Sequence, residues 1–86
     1  MARMELGELR GRLEPLAKEV IGKRLRHVTL EADKDEDGLD YLRVTVEAKS
    51  VDRLDVGVLE KVARALENEI NAVDDRFPSV WFSEAA

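Results

Sequence analysis

Residues Arg26–Lys49 read RHVTLEADKDEDGLDYLRVTVEAK, and their alternation decides the fold. Successive side chains of a strand point to opposite faces. In the first run Val28, Leu30 and Ala32 share one face, with His27, Thr29, Glu31 and Asp33 on the other. In the second, Leu42, Val44, Val46 and Ala48 alternate with Tyr41, Arg43, Thr45, Glu47 and Lys49. A period of two, rich in β-branched side chains, marks strands buried on one side only. Between them Lys34-Asp35-Glu36-Asp37-Gly38 is an acidic turn whose Asp-Gly step suits a positive φ. The stretch therefore reads as a β-hairpin. Pairing Leu30 with Val44 and Val28 with Val46 keeps the apolar face whole. The same register sets Glu31 opposite Arg43, Thr29 opposite Thr45 and His27 opposite Glu47. Such pairs contribute roughly 0.2–1 kcal/mol each, and a slip of one residue would turn every apolar side chain into water.

Upstream, Leu6, Leu9, Leu13, Leu16 and Val20 step by three and four, the stripe of an amphipathic helix over about 4–21. Pro15 interrupts it by removing an amide donor, so a kink is expected there, and Gly22 suits the left-handed position that ends helices. Downstream, Ser50–Asp55 is a linker with two candidate N-caps, Asp52 and Asp55. A second helix follows over about 56–73, with Leu59, Val62, Leu66, Ile70 and Val73 on one side and Glu60 spaced to pair with Arg64. Asp74 and Asp75 oppose the negative end of the helix dipole and should stop it. Phe77-Pro78 leads into a last strand over 79–84, with Val80 and Phe82 on one face and Ser79, Trp81 and Ser83 on the other. With the hairpin strands at about 25–33 and 40–49, the order is α-β-β-α-β in a single domain, 1–86. The expected class is α+β, a two-layer sandwich with a three-stranded mixed sheet and two helices on one face. A right-handed crossover should set the last strand parallel to the second.

Composition narrows the function. At 44% hydrophobic the chain is not compositionally disordered, whereas 38% charge leaves a small core for 86 residues. There is no cysteine, which removes disulfides and thiolate metal sites. No run approaches the roughly 20 apolar residues that span a bilayer, and the start lacks a signal-peptide core, so a cytoplasmic protein with no membrane contact is expected. A net charge of −5 argues against general nucleic-acid affinity. Charge is uneven: residues 1–26 hold seven basic and four acidic side chains, residues 27–86 seven and fifteen. Arg10, Arg12, Lys18, Lys23, Arg24 and Arg26 are thus the landing place for an acidic partner, although interleaved Glu5, Glu8, Glu14 and Glu19 suit a solvated helix face.

Few residues suggest chemistry. Asp33–Gly38 opens like a calcium-binding EF-hand loop, but the twelfth position is Val44 where a glutamate is required, and the flanks alternate as strands. Asp35, Asp37 and Asp40 remain as weak cation candidates in a solvated turn. His27 is the only histidine and lacks a nucleophile or second imidazole beside it, so it reads as a surface residue paired with Glu47. No nucleophile elbow or Gly-rich phosphate loop occurs. Neither catalytic residues nor a cofactor are expected. Trp81 is the exception among bland residues: with Val80 and Phe82 inward it must stand on the open sheet face, near Tyr41. Trp81, Tyr41, Arg43, Thr45, Thr29 and His27 are therefore the candidate interface, since exposed aromatics mark interface centres.

The element order, the acidic hairpin turn and a last strand led by Phe77-Pro78-Ser79-Val80 resemble two modules over about residues 13–84. One is the N-terminal domain of bacterial ribosome maturation factors. The other is the cytosolic C-terminal domain of cation-diffusion-facilitator transporters, a resemblance that implies dimerisation and zinc binding; the transporters' histidine-rich ligands reduce here to His27. The expected function is a small acidic, non-enzymatic protein-interaction module forming a homodimer through the open sheet face. The alternatives are an antitoxin-like or inhibitory partner of a basic protein, and a ribosome-associated assembly factor.

Overall fold

The middle strand β2 (Asp40–Ala48) is hydrogen-bonded on both sides, antiparallel to β1 (Leu25–Lys34) and parallel to β3 (Phe77–Glu84). The computed structural model describes residues 3–86; Met1 and Ala2, the first two residues of the expected domain, lie outside it. Helix α1 (Leu6–Ile21) precedes the hairpin, and α2 (Val56–Val73) carries the chain from β2 to β3. The order is α-β-β-α-β, an α+β fold with both helices on one face of a three-stranded mixed sheet.

All five expected cross-strand pairs are present, Val28 with Val46 and Leu30 with Val44 among them. One irregularity separates Leu25 from His27: Arg26 is an extra residue with no partner. The bulge turns Leu25 back toward the core, where strict alternation from His27 would have pointed it outward. Ala32 keeps its place on the apolar face but is exposed, in a shallow hollow beside Arg3 and Arg76.

The core is two helical ladders closed onto one strand. Leu9, Leu13, Ala17 and Ile21 from α1 and Val62, Leu66 and Ile70 from α2 are buried with Leu42, Val44, Val46 and Ala48 of β2 and with Val28. The stripe of α1 is thus centred a little away from its expected line, since Leu6, Leu16 and Val20 only flank it and small Ala17 lies at its middle. Pro15 sits inside α1, and it and Gly11, whose carbonyl loses its amide partner, are both exposed. Water can satisfy that carbonyl, so the proline is tolerated.

The ends also have local causes. Gly22 has the positive φ expected of it, 74°, but with ψ −139°, a region that only glycine enters readily. Asp55 caps α2 by accepting from the Gly57 amide at 2.7 Å, whereas Asp52 falls in a short turn of 3₁₀ helix, Val51–Arg53. Glu60 and Arg64 are both exposed and are not paired with each other within 4 Å, in line with the small gain available to long charged side chains in water. β3 begins two residues earlier than expected. As an edge strand it accommodates Pro78.

Leu66 is fully buried at the centre of this packing. Leu66→Ala should lower stability by about 3 kcal/mol through lost transfer energy and the cavity left behind. Urea unfolding should show a lower midpoint with an unchanged slope; a change under about 0.5 kcal/mol would contradict this account of the core.

Candidate functional site: the open sheet face

Among the described residues no element covers the other face of the sheet, and the register orders its side chains into four rows. These are His27–Glu47–Ser83, Thr29–Thr45–Trp81, Glu31–Arg43–Ser79 and Asp33–Tyr41–Phe77. Three of the chain's four aromatic residues are therefore outward, and only Phe82 packs against the core. Trp81 is 60% exposed and Phe77 70%, while Tyr41, Arg43, Thr45 and Thr29 are half-buried by their neighbours.

The aromatic opposite Tyr41 is Phe77 rather than Trp81, which stands across from Thr45. Phe77 was missing from the sequence-based interface because Phe-Pro reads as a linker. The signal that could have found it is the period of two continued back from Trp81 through Ser79. Arg43 lies between the aromatics: its guanidinium donates to the Tyr41 hydroxyl at 2.8 Å and sits 5.9 Å from the Tyr41 ring centre. Its other nitrogen lies 3.7 Å from Glu31, and Asp33 is equally near. The Trp81 indole N–H donates to the Ser79 hydroxyl at 2.9 Å, which holds the ring against its own strand. Tyr41, Arg43, Phe77, Ser79, Trp81 and Asp35 line a shallow depression of about 270 Å³. His27, at the far end, contacts Glu47 as expected.

A group of charges that the sequence did not reveal anchors the start of β3. Asp74 is buried beneath it, accepting from Arg76 on both oxygens at 2.8 and 2.9 Å and from the Met4 amide at 2.9 Å. Arg76 in turn donates to the Met4 carbonyl at 3.0 Å, so the residue before Phe77 is tied to the entry of α1. Arg3 extends the network to Asp75 and Asp40 at 2.9 and 2.7 Å, and Lys34 reaches the other oxygen of Asp40 at 2.7 Å. The Arg76 guanidinium, then the Met4 and Arg76 amides, hold the Asp74 carboxyl well below the usual carboxylate range. Lys34 and Arg3 lower Asp40 to about 2. At the opposite end, the Ser50 and Val51 amides donate to Glu84 at 2.7 and 2.8 Å and lower its pKa. Those bonds pin Ser50, which has a positive φ of 58°.

The acidic turn is spent on itself. One oxygen of Asp35 accepts from the Asp37 and Leu39 amides, each at 2.9 Å, and both oxygens of Asp40 are engaged by cations. Asp35, Asp37 and Asp40 do not converge, and among the described residues no group of three His, Cys, Asp or Glu side chains is placed to hold a metal. The expected basic patch also divides. Arg10 and Arg12 pair with Glu14 and Glu69 at 3.8 and 3.2 Å, while Lys18, Lys23, Arg24 and Arg26 remain exposed, with the Lys49 amide bonded to the Arg24 carbonyl beside them. No helix among the described residues is long and apolar enough to cross a membrane.

No protein-family model and no curated protein matches the sequence. Solved structures do match, and C-terminal domains of cation-diffusion-facilitator proteins are among them. A variant of the MamM C-terminal domain aligns at a TM-score of 0.56 and 12% identity, over 95% of this chain and 100% of that one. A copper form of another MamM variant aligns at 0.56 and 12% over the same shares. CzrB, described as a proposed zinc transporter, aligns at 0.58 and 14%, over 96% and 99%. At these identities the likeness is one of fold. It falls on the transporter side of the two resemblances and lends nothing to the ribosome-maturation one.

The carboxylates give the protein a defined acid response. Asp74, Asp40 and Glu84 have depressed folded pKa values, so each contributes stability above its ordinary value near 4 and loses it as pH falls further. Asp74→Asn replaces one acceptor of Arg76 and Met4 with a donor and should cost about 3 kcal/mol at neutral pH. Urea unfolding between pH 7 and pH 2 should also fall less steeply below about pH 4 in the variant. An acid limb as steep as in the wild type would remove Asp74 from this role.

Proposed function

We propose that this chain is a non-enzymatic protein-interaction module that pairs with a second copy, with Trp81 and the open sheet face at the contact. The observation that carries the reading is the exposed indole on the edge-strand side of this face, with exposed Phe77 and half-buried Tyr41 two rows away. Burying large aromatics stabilises an interface strongly, and leaving them in water is what a free subunit must tolerate. The fold shared with the transporter C-terminal domains supports this, because the resemblance implies pairing between copies. It is the pairing that carries over here, without the metal: the chain has one histidine and no cysteine. The module works in the cytoplasm without a cofactor, and its carboxylates act as ties within the fold rather than as acids or bases.

A second reading rests on exposed Lys18, Lys23, Arg24 and Arg26, with the Lys49 amide bonded to the Arg24 carbonyl; among the described residues none of these cations has a carboxylate within 4 Å. A ribosome-associated factor would use such an end on a phosphate-rich surface. Co-sedimentation with ribosomal subunits at low salt, lost at high salt, would favour it over the pairing reading.

Light scattering across a concentration series should show a dimer of the wild type. Trp81→Ala should weaken it by about 2 kcal/mol, roughly thirtyfold in dissociation constant, with the far-ultraviolet spectrum unchanged. A wild type that stays monomeric at high micromolar concentration would overturn the proposal.

A further inference from the structure

The two edges of the sheet differ. Along β1 the chain places Arg26, His27, Glu31, Asp33 and Lys34, together with the bulge at Arg26. Charges and bulges are the usual guards of an edge strand against another chain. Among the described residues β3 has β2 as its single neighbour, and from Pro78 to Ser83 it carries no charged residue.

One hydrogen bond shows which backbone groups of β3 are left over. The Ala85 amide donates to the Ala48 carbonyl at 3.0 Å, and Ala48 stands opposite Glu84. The N–H and C=O of a strand residue point the same way and alternate along the strand. Ser79, Trp81 and Ser83 therefore bond toward β2, while Pro78, Val80, Phe82 and Glu84 point away from the sheet. Pro78 has no amide to offer. Val80, Phe82 and Glu84 each present both a donor and an acceptor.

We infer that a second copy of this chain adds its own β3 to this edge, antiparallel about a two-fold axis at Phe82, to give one continuous six-stranded sheet. Pro78 selects that register. An axis at Val80 would set Pro78 against the partner's Phe82 and forfeit a donor in each copy. With the axis at Phe82, Val80 meets the partner's Glu84 and about six main-chain hydrogen bonds close. On the open face Trp81 then stands opposite the partner's Ser83. The two indoles become diagonal neighbours across the seam, about 7–8 Å apart at the backbone and within aromatic reach. The inference rests on the pairing of copies proposed above and adds which atoms make it.

Amide exchange read residue by residue on the wild-type chain separates the two. In the dimer the Val80 and Phe82 amides should be protected, and dilution to monomer should speed their exchange about tenfold or more, while the Trp81 amide, bonded within the chain, changes little. Ser83→Lys, which sets a hydrated charge against the partner's indole, should weaken the dimer about tenfold with folding unchanged. A dimer in which the Val80 and Phe82 amides exchange equally fast at both concentrations would overturn the edge pairing and leave the open-face contact standing. A monomer throughout would overturn both.

Discussion

A strand bonded on both flanks cannot slide, and everything else in this protein is arranged around the one that is. β2 meets β1 on one side and β3 on the other, and its inward residues Leu42, Val44, Val46 and Ala48 are fully enclosed. Moving it by one residue would exchange those four for Tyr41, Arg43, Thr45 and Glu47, placing a guanidinium and a carboxylate in the core. That cost lies far above the few kcal/mol by which a domain this small is held together. The helices need only match the strand, and each does so with a ladder of residues four apart.

The second constraint is electrostatic and lies where three segments converge. Asp74 ends α2, Arg76 begins the approach to β3, and Met4 leads into α1; a single buried carboxylate ties all three. The arrangement satisfies the charge with hydrogen bonds from both sides, the condition under which burying a carboxylate is tolerated. It also determines where β3 starts, and hence that Phe77 stands in the row of Tyr41. The aromatic character of the open face thus depends on an ion pair beneath the opposite side of the sheet.

The hairpin and its register were legible because the signal is local and redundant: nine alternating positions in the second run agree with one another and with those of the first. Trp81 could be placed outward by the same logic, since Val80 and Phe82 leave it no other side. Phe77 was not legible, because a proline one residue on reads as a break wherever it is unknown which strand lies at the edge. The role of Asp74 was hidden for a related reason. Its position after a helix suggests repulsion from the dipole, and only the guanidinium two residues later, folded back onto it, reverses the sign.

Sequence alone determined which hairpin residues from His27 to Ala48 face the helices and in what order the elements occur, because alternation by two is written in neighbouring positions and burial enforces it. Only the tertiary structure decided which carboxylates are spent on the fold, which cations are left exposed, and which edge of the sheet is unguarded. Those properties depend on contacts between residues as far apart as Met4 and Asp74 or Ser50 and Glu84, and such distances in the chain leave no periodic trace.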